Sequence, residues 1–264
     1  MGATKEQMKT ADGLVTVKDN KLYCPHCERE TPITVLRGDR KDAAGNTVYG
    51  LRKWEQDEFL PRPDDVFQER LYAIRYVGKN GRYYRAPSKR DLENESKVIE
   101  LLSERFGPWQ QEGFIPSACI EGGYNTDQPI RERGWQYWHQ LFNPRQLLVL
   151  GILQEYISTK ANNLQKSVLG IIGLNSLADW NARLSRWHTD DTHSSAQVFY
   201  NQALNTLYNF ACRGFKTLKK IWLIDFKTAV NQVNDIDVKS LDARGISQKN
   251  DIWITDPPYA DAVN

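Results

Sequence analysis

The chain has 264 residues, enough for one large domain or two modest ones. Hydrophobic residues make up 40% and charged residues 26%, values ordinary for a soluble globular protein, and the net charge of +2 is too mild to imply nucleic acid by itself. No run approaches eighteen uninterrupted apolar residues, and the polar start "MGATKEQMKTADG" is not a signal peptide, so the expectation is a cytoplasmic protein without a membrane partner.

The first part, residues 1–87, reads as β-rich. Two short extended runs in "LVTVKDNKLYCPHCERETPITV" flank Cys24-Pro25-His26-Cys27, whose two thiols look like a metal knuckle in a reducing compartment. Cys119 and Cys212 read as buried thiols. The acidic–basic stretch "WEQDEFLPRPDD" is expected to be a surface loop. "RLYAIRYVGKNGRYYRAP" predicts a hairpin, with strands Leu71 to Val77 and Arg82 to Arg85 and a turn around Lys79-Asn80-Gly81. Its basic and aromatic residues suit either a DNA backbone or a solvated edge.

Residues 88–215 read as mainly helical. Ser88 opens like a capping box ahead of Leu92, Ile99, Leu102 and Phe106. The Gly- and Pro-punctuated "FGPWQQEGFIPSACIEGGYNTDQP" predicts a long loop. In "RGWQYWHQLFNPRQ", Arg133, Trp135, Trp138, His139 and Arg145 either interleave cations with stacking faces or pack a helix start, and packing is the favoured reading. Asn143 then reads as an N-cap, with Pro144 at the first helical position and Gln146 at the third. Further helices are expected over "SVLGIIGLNSLADWNARLSRW" and over "SSAQVFYNQALNTLYNFACRGF", the latter with Phe199, Ala203, Leu207 and Phe210 along one stripe. His188 and His193 flank "TDDT" in a polar loop with no recognised metal spacing.

Residues 216–264 change character. "KKIWLIDF", "DIDVKSLDA" and "NDIWITD" are short apolar runs between turns, as in the strands of an α/β sheet. The last run ends in Asp256-Pro257-Pro258-Tyr259. Neither proline can continue a ladder, because each lacks an N–H. Ligands of open α/β sheets gather where strands end. Fixed φ at both prolines would hold their carbonyls and the Asp256 carboxylate as a set of acceptors, suited to an exocyclic amine with its two N–H donors. Tyr259 would offer a flat face to the ring carrying that amine. A base held this way must first leave the helix stack.

"DPPY" after an apolar strand resembles motif IV of the amino-methyltransferases that modify N6 of adenine or N4 of cytosine in DNA. With "RGWQYWHQLFNPRQLLVL", "FYNQALNTLYNFACRGF", "YCPHC", "RLYAIRY" and "RYYRAPSKRD", the chain is similar, from about Val15 to Asn264, to the adenine-specific DNA methylases that contain a zinc ribbon. The resemblance implies a mixed α/β fold, with a zinc-ribbon-like N-terminal part, a helical middle insert and a partial Rossmann-like methyltransferase sheet. It implies DNA as partner and S-adenosylmethionine as methyl donor. Asp256 and the Pro257 carbonyl would accept from the adenine amine, Pro258 would stiffen the turn, and Tyr259 would stack on the flipped base. The amine would then attack the sulfonium methyl in one displacement, a positioning effect. "VKSLDARGI" is similar to the motif III strand end, which implies that Asp242 contacts the cofactor's adenine. Cys24 and Cys27 would be zinc ligands.

Two parts of the family pattern are missing. Its Phe-x-Gly-x-Gly cofactor loop has no counterpart in this sequence, "LGIIGLNS" being a poor substitute inside a helical pattern. Cys24 and Cys27 also match only one of the two cysteine pairs, and a structural zinc takes four ligands. The chain is therefore expected to be a piece of such an enzyme, inactive alone and completed by a companion chain that carries the cofactor loop. The competing expectation is a non-catalytic DNA- or partner-binding piece of a split or decayed methylase.

Overall fold

A computed structural model describes residues 17–79, 81–124, 126–185, 198, 242–247, 249 and 252. The chain divides into two compact units, residues 1–222 and 223–264, each taken here by itself.

The first unit mixes helices with three small antiparallel sheets. Strands β1 (Val17–Lys18), β2 (Lys21–Tyr23) and β3 (Glu30–Pro32) pair in sequence order. β1 and β2 are joined by Asp19 and Asn20, both at positive φ (50° and 60°), as a two-residue hairpin loop of this hand requires. A short helix α1 (Ile33–Arg37) follows, ending at Gly38 in the left-handed region. Strands β4 (Arg40–Lys41) and β5 (Thr47–Val48) come next, with Asp42 Oδ1 accepting from the backbone of Ala44 and Asn46 to close their turn.

The predicted hairpin is present as β6 (Ile74–Gly78) and β7 (Gly81–Arg85), in the register Tyr76 opposite Tyr83 and Gly78 opposite Gly81. Helix α2 (Lys89–Gln111) starts as expected: Ser88 Oγ accepts from Asp91 N, and Asp91 returns a bond to Ser88 N. Its buried face is Val98, Leu102, Phe106 and Trp109, while Leu92 is exposed and lies outside the core.

The expected long loop begins too early by this measure. Helix α2 runs through Gly107 and Pro108 to Gln111, so the irregular stretch is shorter. A proline inside a helix costs about 3 kcal/mol. Here Phe106 and Trp109 lie on either side of Pro108, 5% and 3% exposed, and their burial in one cluster with Ile115, Leu147 and Leu148 holds that turn helical.

Helix α3 (Asp127–Arg133) leads through a 3-10 turn at Trp138–Leu141 to α4 (Pro144–Lys160). The Asn143 cap, Pro144 and Gln146 stand as the sequence predicts. Helix α5 (Leu164–Trp180) is capped by Asn163 and stops at Trp180, so "NARLS" does not extend it, and the last two residues of the expected helix lie outside the described residues. Instead Asn181, Ala182, Arg183, Leu184 and Ser185 are all buried, and Arg183 N bonds to Leu141 O at 2.7 Å.

α2 packs on α4 and α4 on α5. The α2–α4 contact is close because Gly151 has no side chain: a Cβ there would lie 2.3 Å from the Trp109 ring. A second cluster joins Trp54, Ile120, Trp135, Leu141 and Leu184. "WEQDEFLPRPDD" is thus no plain surface loop. Trp54 is 7% exposed, and Trp54 N bonds to Gly134 O at 2.8 Å. No helix among the described residues is long and apolar enough to cross a membrane. The Rossmann-like sheet and the "SSAQVFYNQALNTLYNFACRGF" helix fall largely outside the described residues.

Gly134 fixes where the strap around Trp54 meets α3. It sits at φ +76°, and a Cβ would come within 2.0 Å of Arg52 O. Strain at that φ plus overpacking against backbone predicts that Gly134→Ala destabilises the first unit by about 2–4 kcal/mol. Urea unfolding followed by tryptophan fluorescence measures this directly.

Candidate functional site

Asp256, Pro257, Pro258 and Tyr259 lie outside the described residues, as do His188, His193 and Cys212. In the second unit Asp242 precedes a 3-10 turn at Ala243–Gly245. Its Oδ1 accepts from Arg244 N at 2.9 Å, and its Oδ2 lies 2.6 Å from Arg244 Nη2. The Arg244 guanidinium, aided by the Arg244 N–H, holds this exposed carboxyl below its ordinary range. A cofactor amine reaching Asp242 would share it with Arg244.

In the first unit the knuckle occupies the β2–β3 turn. Cys24 N donates to Arg29 O at 3.0 Å, and Glu28, at φ 57°, donates its N–H to Cys24 O at 2.8 Å. The Cys24 thiol is pulled below its ordinary pKa by the backbone N–H of Cys27 and then that of His26, which favours the thiolate a metal needs. Two thiols in one turn fit half of a tetrahedral zinc set. Among the described residues no three His, Cys, Asp or Glu side chains gather to hold a metal, so no chemistry is routed through zinc here. Cys119 is exposed rather than buried, because it sits on an isolated bridge to Tyr137 at the surface.

The residues of "RGWQYWHQLFNPRQ" are packed rather than presented. Trp135 is 3% exposed, and Arg145 Nε bonds Glu95 on α2 at 2.8 Å. Two polar side chains here are wholly buried. Gln140 Oε1 accepts from Gln136 N (2.7 Å) and Tyr137 N (3.1 Å), and its Nε2 donates to Glu55 O (2.6 Å) and Glu58 O (3.3 Å). His139 Nε2 lies 3.1 Å from Glu58 O, and its Nδ1 lies 3.1 Å from Pro116 O and 3.5 Å from Gln110 Nε2. Burial is the main cause that lowers the His139 pKa, outweighing the two carbonyls.

Beside this node is a pocket lined by charged and aromatic groups, among them Arg52, Asp65, Phe67, Glu69, Arg133 and Trp135. Arg52 forks onto Asp65 with two 2.6 Å bonds and reaches Glu58 Oε2 with a third, and the Asp65 bonds raise its pKa. Arg133 lies 4.5 Å from the centre of the Phe67 ring, and burial pushes its pKa down to about 10, so it stays a cation at neutral pH. Arg183, fully buried, sits between the Trp54 and Trp135 rings (5.7 and 5.1 Å), with Nε 2.6 Å from Glu69 Oε1. No family model, curated protein or solved structure matches the chain.

Sequence reasoning missed this pairing. Its signal was the acidic run Glu55 to Asp65 standing near Trp54, in a chain whose arginines also fall beside tryptophans at Arg52 and Arg133. The arrangement joins cations to aromatic faces and carboxylates, and its chemistry is cohesion.

Because His139 is kept neutral, the unfolded chain takes up its proton more readily than the folded one. Stability therefore falls as pH drops through the ordinary histidine range near about 6.5, and is unaffected by this group above it. The melting temperature of the chain should be lower at pH 5.5 than at pH 7.5. His139→Gln should flatten that dependence; an unchanged slope would place its origin elsewhere.

Proposed function

We propose that this chain supplies the target-base clamp of an S-adenosylmethionine-dependent DNA methyltransferase acting on N6 of adenine. The observation that carries the reading is an apolar strand run ending in Asp256-Pro257-Pro258-Tyr259. The Asp256 carboxylate and the Pro257 carbonyl each accept one N–H of the adenine amine. That orients the nitrogen lone pair away from both acceptors and toward the methyl donor. Pro257 and Pro258, with φ fixed, keep the two acceptors at constant separation. Tyr259 stacks on the extruded ring and takes the place of the neighbours it left. S-adenosylmethionine, when bound, supplies the electrophilic methyl group. Asp242 is the residue of this sequence that faces its adenine, and the Phe-x-Gly-x-Gly part of the cofactor site is not among these 264 residues.

The test is methyl incorporation from labelled cofactor into duplex DNA. The chain alone should transfer little. With a companion carrying the Phe-x-Gly-x-Gly loop it should transfer, and Asp256→Ala should lower the rate by about 10² or more while cofactor affinity stays within about twofold. Tyr259→Ala should raise the KM for DNA more than Asp256→Ala does. Loss of cofactor binding in Asp256→Ala would remove this residue from the clamp.

A further inference from the structure

The net charge of the chain conceals a segregation. Residues 70–90 hold seven cations, Arg70, Arg75, Lys79, Arg82, Arg85, Lys89 and Arg90, and no Asp or Glu. Since the whole chain is only +2, the remainder is net negative. The same 21 residues hold four tyrosines, Tyr72, Tyr76, Tyr83 and Tyr84.

Four of the seven, Arg75, Lys79, Arg82 and Arg85, lie on the β6–β7 hairpin, with Arg70 before it and Lys89 and Arg90 opening α2. Among the described residues, β6 and β7 form a two-stranded sheet of their own, with no other strand beside either edge. At 3.3–3.4 Å per residue, five-residue strands make a ribbon roughly 17 Å long. An isolated hairpin is marginal in water, so one built of cations and tyrosines gains little by burying itself. Tyr76 and Tyr83 stack across the strands, 5.5 Å apart and 16° from parallel, and the Arg85 guanidinium lies 5.1 Å from the Tyr83 ring. The paired rings brace the ribbon, and the Tyr83 face carries the Arg85 guanidinium. Lys79 at the tip and Arg85 are exposed, Tyr72 is 57% exposed, and the Lys89 side chain just beyond is 92% exposed.

We propose that the β6–β7 hairpin is an arm that grips the phosphate backbone of duplex DNA. A two-stranded ribbon fits the roughly 12 Å major groove. Arginine, lysine and tyrosine side chains are donors to phosphate oxygens, and they position a protein without reading sequence. That role complements the clamp at Asp256, which holds one base and needs the duplex delivered to it. The inference shares its DNA partner with the proposed function and is otherwise independent of it.

The experiment is fluorescence anisotropy of a labelled 30-base-pair duplex with the full chain, between about 50 and 200 mM NaCl. The variant is Lys79→Gln/Arg82→Gln/Arg85→Gln, and the control is Lys160→Gln/Lys166→Gln on α4 and α5. The hairpin variant should bind about tenfold or more weakly at 100 mM and lose about 2–3 from the slope of log K against log salt. The control should bind as the unaltered chain does, and all variants should melt within a few degrees of it. Unchanged affinity and slope in the hairpin variant overturn the proposal. So does a chain that ignores duplex DNA and binds phosphatidylserine vesicles instead. A hairpin variant that loses DNA, in a system that never transfers methyl groups, upholds the arm and removes the methyltransferase reading. Methyl transfer with a DNA affinity indifferent to the hairpin does the reverse.

Discussion

The first unit depends on one buried amide. Gln140 has no exposed surface, and its side chain makes four hydrogen bonds, two accepted within its own turn and two donated to Glu55 and Glu58. A wholly buried amide left without such partners would cost about 1–3 kcal/mol. The adjacent His139 adds a contact to the same strap, from its Nε2 to Glu58 O. Through these contacts residues 54–65, distant in sequence, are fixed against the turn that leads into α4. Arg183 donates to Gln140 O at 2.5 Å and so ties the segment after α5 to the same point. The cation–aromatic pocket follows from this arrangement, because it brings Trp54, Trp135 and Arg183 together.

What the sequence disclosed was local. Ser88, Asn143, Pro144 and Gln146 act on neighbours three residues away, so their chemistry is visible in any short window. The β6–β7 hairpin is likewise specified by its own alternation and its glycine turn. Pro108 misleads for the opposite reason. Its local preference is to break a helix, and the burial of Phe106 and Trp109 against residues some forty positions on, Leu147 and Leu148, overrides it. The polar strap misleads in the same way. Glu55, Glu58 and Asp65 read as solvent-facing, yet they bond to Arg52 and, through backbone carbonyls, to Gln140 and His139. No short window contains both Gln140 or His139 and the carbonyls of Glu55 and Glu58 that they meet.

The residues proposed for function divide along the same line. The proposed clamp Asp256-Pro257-Pro258-Tyr259 is legible because its chemistry is contiguous: two rigid residues, an acceptor and a ring suffice to describe it. A metal or cofactor site is assembled from distant segments. Cys24 and Cys27 display half a knuckle with one thiol tuned toward the thiolate, and Asp242 displays a carboxylate engaged by Arg244. The positive hairpin belongs to the legible class too, although overall charge hides it. The seven cations of residues 70–90, four of them on the hairpin, are offset by acids elsewhere in the chain, some of them, such as Glu58 and Asp65, already occupied by arginine.

The most direct measurement is single-molecule sequencing of DNA from cells that express this chain together with its flanking reading frames, read for modified bases. The account predicts N6-methyladenine at one recurrent sequence, absent when Asp256 is alanine. Unmodified adenine throughout, or methylation confined to N4 of cytosine, would contradict it.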